Sequence, residues 1–363
     1  MTQDNGDRGF KVRPLLDIMN RSFQKYGVFQ EKLAVGEMIV PYHGDNRPRR
    51  FRRDEPNRLG YKLWTICGGD GYCYKVDLYC GKEQGPELCG QPLGSRVVLD
   101  MISVISDPSG HEVFFGNKFT SRTLLGQLKS RGIRATGVVR EKRLGKCPVS
   151  TVEVMREMKR GSYEQRFDLT DQVLLIRWHD YGVVNVMTNY DTANPTSNVD
   201  RYDSEAKKRV PVPQPKALKT YHAAMSGVDL HDQLLGAYPV SIRGKKWYWG
   251  VITRLLDIAV VNSHILHKTA VTGDKQLSLL DFRREIAVTY LKAAASQKGC
   301  GARPLPANTP ASLRYDGIGH FPAPLHGRRQ CQLESCKLRS TKRCNKCDVA
   351  ICLKCFVAYH QRS

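Results

Sequence analysis

Apolar residues recur at helical spacing through the first segment, FKVRPLLDIMNRSFQKYGVFQ, where Val12, Leu15, Leu16, Ile18, Met19 and Phe23 share a face. This predicts an amphipathic helix leading into a first strand, LAVGEMIVPYHG. After a turn-rich connection, YKLWTIC and GYCYKVDLYCG alternate apolar and polar positions in the manner of a hairpin. SRVVLDMISVIS then has helical periodicity, HEVFFGNKF is a short apolar strand ending in a Gly-Asn loop, and SRTLLGQLKSRG is a helix capped by glycine. Three strands, a helix, a strand and a helix in that order describe a mixed sheet flanked by helices.

Between Thr136 and Asp191 the period changes to two, in TGVVRE, SYEQRFD, QVLLIRWHD and GVVNVMTNYD. The change predicts a separate β-rich insertion. A loop carrying Pro211, Pro213 and Pro215 closes it, because closely spaced prolines break both a helix and a central strand. One helix then starts at about Met225, a second runs from Trp247 to about Lys268, and LSLLDFRREIAVTYLKAAA forms another within residues 275–297. The proline-rich stretch from Gly299 to Pro324 reads as a linker to a cysteine-rich tail.

Charge narrows the choice of partner. The 363 residues carry 57 Lys and Arg against 35 Asp and Glu, a net charge of +22 that favours a polyanion, nucleic acid first. The polar start MTQDNGDRG is not a secretory signal, and no run approaches the roughly 18 apolar residues of a membrane span, so no membrane is expected. Of the 12 cysteines, Cys67, Cys73, Cys80, Cys89, Cys147 and Cys300 are scattered and read as reduced thiols. The others form the close pairs Cys331-x4-Cys336, Cys344-x2-Cys347 and Cys352-x2-Cys355, followed by His360, with His320 and His326 upstream. Without a secretory signal, such pairs read as metal ligands. Two closed tetrahedral zinc sites need eight donors. In a cross-brace, the first and third pairs hold one ion, and Cys344, Cys347, His360 and either His320 or His326 hold the other, His320 being taken first.

Asp229 and Asp232 stand three apart in GVDLHDQLLG, so on a helix they share a face and could grip one cation, although such pairs are commonly just a solvated helix face. Metal-dependent phosphoryl transfer needs three or four convergent carboxylates around two magnesium ions. Arg47, Arg49, Arg50, Arg52 and Arg53 form a basic patch suited to phosphate contact or nuclear import, and Arg243, Lys245 and Lys246 in RGKKWYW form a second. The tryptophans beside the latter read as core rather than as base-stacking platforms.

GVDLHDQLLG followed by RGKKWYW and LLDIAVVNS resembles the third catalytic block of the piggyBac transposase family. KVRPLLD, VGEMIVPYHG with RPRRF and GYKLW, VFFGNKFTSRTLLGQL, ATGVVREKR, LLIRWHD, VPVPQPKALKTY and the cysteine-rich end fall in the family's order across nearly the whole chain. The resemblance implies an α/β fold: a ribonuclease-H-like mixed sheet with flanking helices, split by a β-rich insertion, plus a small C-terminal cross-brace zinc domain that binds the transposon end. It also implies hairpin-forming cut-and-paste transposition driven by aspartates that hold two metal ions. Asp229 and Asp232 match two of those carboxylates. At the other two positions stand Gly36, just before Glu37, and Gly116, just before Asn117. Glu37 should point to the opposite face of its strand, and Glu112 lies four residues, about 13 Å, from Gly116. Neither replaces a ligand, so magnesium binding at the core is expected to be weak or absent.

These readings divide the chain into residues 1–136 and 216–270 as the two parts of the core, 137–215 as the β-rich insertion, 271–318 as a helical remnant with linker, and 319–363 as the zinc domain. The expected protein is a domesticated, non-cleaving, nuclear DNA-binding relative of the transposases, with two structural zinc ions and chromatin proteins as further partners. A residual metal-dependent nuclease and a zinc-based protein-interaction module are the alternatives. The chain begins some thirty residues before the first catalytic strand, which reads as a short isoform or truncated relative lacking part of what would form a homodimer.

Overall fold

Strand β1 (Lys32–Pro41) is apolar on both faces and buried along nearly its whole length, as a central strand covered by helices must be. A preceding helix, α1 (Arg13–Tyr26), buries Leu16 and Phe23 as its periodicity requires. In this computed structural model, residues 7, 9–41, 50–51, 59–81, 91–204, 207–240, 242, 244, 246–296 and 309–361 are described. They form two compact units, residues 1–282 and 283–363.

In the first unit, β1 pairs antiparallel with β3 (Leu59–Gly68), which also pairs with the short β2 (Arg50–Phe51) and with β4 (Cys73–Leu78). Helix α2 (Leu93–Met101) leads to β5 (Glu112–Phe115), parallel to β1, and α3 (Arg122–Ser130) leads to β6 (Arg134–Val138), parallel to β5. The order β4-β3-β1-β5-β6 is the ribonuclease-H-like mixed sheet expected from the sequence.

The β-rich segment is not a separate sheet. After the short α4 (Val152–Glu157), strands β7 (Tyr163–Asp168), β8 (Val173–His179) and β9 (Val183–Thr188) form a meander. β9 pairs antiparallel with β6, Thr136 opposite Thr188, so the meander prolongs the main sheet. The outer edge of β6 would otherwise present unpaired N–H and C=O groups. A two-stranded ribbon, β10 (Ser197–Asp203) and β11 (Lys208–Gln214), does stand apart from that sheet. Pro211 and Pro213, expected to interrupt any strand, lie within β11, because a ribbon edge tolerates a missing N–H that a central strand would not. The Trp178 indole donates to the Pro213 carbonyl at 2.9 Å and ties the ribbon to β8.

Three helices follow: α5 (Lys216–Ala224), α6 (Gly227–Ala237) and α7 (Tyr248–Ala270). Contrary to the sequence reading, α7 is long and apolar enough by length and composition to cross a membrane. Half of its most apolar window is buried, with Val251, Leu255, Ile258, Val261 and Ile265 in the main core, as in a core helix. α8 (Leu279–Ser296) contains the division between the units. The second unit then holds α9 (Ala311–Arg314), the antiparallel β12 (Pro322–Gln330) and β13 (Arg339–Cys344), and α10 (Leu353–His360). Its core is Cys331, Cys344, Cys347, Val349, Ile351 and Tyr359.

α6 approaches the sheet more closely than side chains permit. A Cβ on Gly227 would stand 2.3 Å from the Gly68 carbonyl oxygen, and one on Gly36 of β1 would stand 3.0 Å from Val228 Cγ1. At the β3–β4 turn Gly71 has φ +86°, and a Cβ there would meet Leu230 Cγ at 3.3 Å. Gly227→Ala should therefore destabilise the protein by about 2–3 kcal/mol, because the atom it meets is backbone and cannot step aside. Gly236→Ala, on the same helix with nothing within 4 Å of the new Cβ, should be neutral or stabilising by up to about 1 kcal/mol. Urea denaturation of the two variants checks this pair.

Candidate functional site

The tail gathers its donors into two sets of four: Cys331, Cys336, Cys352 and Cys355, and His320, Cys344, Cys347 and His360. Within each set the donor atoms lie within 4.8 Å of one another. The first and third cysteine pairs share one set, which is the cross-brace, and His320 completes the other while His326 lies exposed on β12. Secondary structure delivers these donors: Cys344 ends β13, Cys352 caps α10, Cys355 sits in its first turn and His360 in its last. A tetrahedral zinc ion, about 2.3 Å from sulfur and 2.0–2.1 Å from nitrogen, sets N and S about 3.5 Å apart and two sulfurs about 3.8 Å apart. His320 Nδ1 is 3.4 Å from Cys344 Sγ and 3.5 Å from Cys347 Sγ, His360 Nε2 is 3.5 Å from Cys347 Sγ, and Cys336 and Cys352 Sγ are 3.9 Å apart. The donors present fit such an ion. Burial pushes the Cys347 thiol up to about 12, and contact with Cys352 and Cys336 pushes Cys355 up to about 12. Thiolates this crowded ionise together only around a cation.

The acidic pair is placed differently. α6 buries Gly227, Val228, His231 and Leu235 and leaves Asp229 and Asp232 exposed. Gly36 lies against Val228 in the layer beneath them, and Gly116 follows β5 with Met225 Cε, 3.9 Å from a would-be Cβ, as its nearest neighbour. Burial and then the Asp229 charge push the Tyr221 hydroxyl up to about 12. Glu37 forms ion pairs with Lys62 and Lys118, and the Lys62 ammonium stands 4.4 Å from the Trp64 ring centroid. Lys62 and Trp64 lie opposite Ile39 and Glu37, so this cluster occupies the other face of β1 from Gly36. Glu112 is engaged by Arg134 at 3.1 Å. Among the described residues, the groups of three or more His, Cys, Asp or Glu close enough to hold an ion are the two tail clusters.

A family model described as Transposase IS4 matches residues 1–264. Human PiggyBac transposable element-derived protein 2 is 36% identical over 361 residues, covering 99% of this chain and 60% of the relative. Human PiggyBac transposable element-derived protein 3 is 33% identical over 361 residues, covering 98% and 60%. The chain belongs to the piggyBac transposase family. It spans about 60% of the length of these curated relatives. A piggyBac transposase in a synaptic complex with hairpin DNA shares the fold, with a TM-score of 0.64 and 19% identity over 96% of this chain and 75% of that one.

Of the basic residues singled out in the sequence, Arg47, Arg49, Arg52, Arg53, Arg243 and Lys245 lie outside the described residues, and Arg50 contributes its backbone to β2. Lys246 is exposed. Trp247 packs against Tyr61 with ring centroids 5.5 Å apart, as a core residue, whereas Trp249 is 41% exposed. A basic loop after β6 was not singled out although its charges are plain in ATGVVREKRLGK: Arg140, Lys142, Arg143 and Lys146 are all exposed. Arg143 donates to the carbonyls of Asn117, Lys118 and Thr120 at 3.0–3.2 Å, and Arg140 to the Asn117 side chain at 3.4 Å, which stitches the loop to the turn after Gly116. Only the fold brings the two segments together.

Two outcomes follow from this geometry. If each cluster holds an ion, removing a donor should cost one: in the full chain His320→Ala should bind one metal ion fewer than the parent, while His326→Ala binds as many, as read by metal analysis. The second concerns His231, fully buried beneath the acidic pair, whose Nδ1 donates to the Gly71 carbonyl at 2.7 Å. Burial lowers its pKa from 6.5 to about 4. The unfolded chain takes up a proton that the folded chain refuses, so this stability is complete above about pH 6.5 and falls on acidification toward pH 4, by about 3 kcal/mol. Urea midpoints at pH 7.5 and 4.5 should differ less in His231→Gln than in the parent.

Proposed function

We propose that the protein is a domesticated, transposase-derived DNA-binding protein of the nucleus that does not cleave DNA. The observation that carries this reading is that, among the described residues, Asp229 and Asp232 belong to no group of three or more His, Cys, Asp or Glu close enough to hold an ion. Glu37 and Glu112 are engaged in ion pairs, and Val228 fills the space above Gly36. Phosphoryl transfer by two metal ions needs further carboxylates converging on Asp229 and Asp232. Two exposed acids alone hold magnesium weakly.

DNA binding draws support from the net charge of +22 and from two basic surfaces. One is the Arg140–Lys146 loop. The other is the β12–β13 ribbon with exposed Arg328, Arg329, Lys337, Arg339 and Lys342. Arg47 to Arg53 supply a patch of the kind that directs nuclear import. The clusters act as zinc sites, and since each offers four protein donors with no open position, the ions are structural rather than catalytic.

The test joins binding to cleavage. The full chain should bind duplex DNA with an affinity that falls steeply with salt, and Lys142→Glu with Lys146→Glu should weaken it and reduce the slope of log K against log salt by about 2. Supercoiled plasmid with magnesium should remain intact. Magnesium-dependent nicking that disappears in Asp229→Ala would overturn the non-cleaving reading, and salt-insensitive or absent binding would overturn the other half.

A further inference from the structure

His320 and His360 present different nitrogens to the same cluster. His360 offers Nε2, because its Nδ1 donates to the Phe356 carbonyl, one turn back in α10, at 2.7 Å. His320 does the reverse, with Nδ1 facing the two sulfurs and Nε2 lying 2.9 Å from Asp316 Oδ1. A metal-bound imidazole is neutral and donates its remaining N–H, so the partner of that N–H decides which nitrogen is left for the metal. For His360 the helix makes the choice. His320 sits in an irregular turn ahead of β12, where Gly317 at φ +68° and Gly319 at φ +71° curl the chain so that Asp316 reaches back to the ring.

The same carboxylate accepts from the Ile318 amide at 3.1 Å and pairs with Lys346, which also donates to the Ile318 carbonyl. Lys346 lies between Cys344 and Cys347. The turn that carries one ligand is thereby fastened to the turn that carries two others. The four-cysteine set contains no histidine and has no need of such a carboxylate.

We propose that Asp316 is a positioning residue for the His320–Cys344–Cys347–His360 centre: its carboxylate holds the Nε2–H tautomer of His320 and aims Nδ1 at the ion. This rests on the reading of that cluster as a zinc site. In the full chain, chelator competition should show Asp316→Ala weakening one of the two sites by about 10- to 100-fold and leaving the other unchanged. Asp316→Asn, whose amide oxygen still accepts the Nε2 proton, should recover most of that loss. In cobalt-loaded protein the ligand-field bands of the two-sulfur, two-nitrogen centre should shift in Asp316→Ala while the four-sulfur charge-transfer band stays in place. The proposal is overturned if Asp316→Ala binds both ions as the parent does, or weakens both sites together. It also falls if Lys346→Ala reproduces the full loss, because the carboxylate would then be only a tether between turns. A parent chain that holds a single ion, at the four-cysteine set, would defeat the zinc reading itself, a result separable from every outcome of the Asp316 variants.

Discussion

The close approach of α6 to β1 and to the β3–β4 turn is the constraint on which the first unit depends. Four glycines make it: Gly36 beneath Val228, Gly68 and Gly227 in backbone contact, and Gly71 under Leu230. With no side chains between helix and strand, Val228, His231 and Leu235 reach the core, and His231 can close a hydrogen bond to the turn it covers. The helix is seated by backbone and shape more than by polar pairing. Its outward residues are presented at a fixed height and rotation whatever they do, so the acidic pair needs no chemistry of its own to stay where it is.

The second unit solves a different problem. Apart from its cysteines, its buried core is Val349, Ile351 and Tyr359 with Leu333 and Phe356 packed against it, little apolar surface for a unit of this size to fold on alone. An ion held by each donor set would supply the missing cross-links, since metal binding to a site absent in the unfolded chain is folding free energy. The histidine-containing set draws its donors from the turn before β12, the end of β13 and the last turn of α10, so a single ion there would join three elements.

Much of this was legible in the sequence, and what was not has a physical cause. Cysteine spacing foretold the cross-brace because ligand pairs with two to four residues between them are local geometry. Spacing could not choose between His320 and His326, since that depends on a turn built by Gly317 and Gly319. Period two correctly marked β7, β8 and β9 as strands but said nothing of which edge they join, so the pairing of β9 with β6 was invisible. Pro211 and Pro213 misled because a proline forbids a central strand and not an edge. Alternation placed Glu37 on the far face from Gly36, whereas its capture by Lys62 and Lys118 takes three separate segments to assemble. The Arg140–Lys146 loop was missed because a charge run acquires meaning only from what lies beside it.

The two glycines that stand where the family resemblance implies carboxylates are not equivalent. A side chain at Gly116 would enter open space, its nearest neighbour the flexible end of Met225 at 3.9 Å. A side chain at Gly36 meets Val228 Cγ1 at 3.0 Å and Cβ at 3.1 Å, and Val228 is held by a helix that Gly227 and Gly71 have drawn against the sheet. A Cβ at position 116 therefore meets open space, whereas one at position 36 requires Val228, on the helix that carries Asp229 and Asp232, to give by a few tenths of an ångström. The packing that a side chain at position 36 has to displace is the same packing that seats α6 on the sheet. Glycine is thus built into the packing at β1, whereas after β5 the packing does not require it.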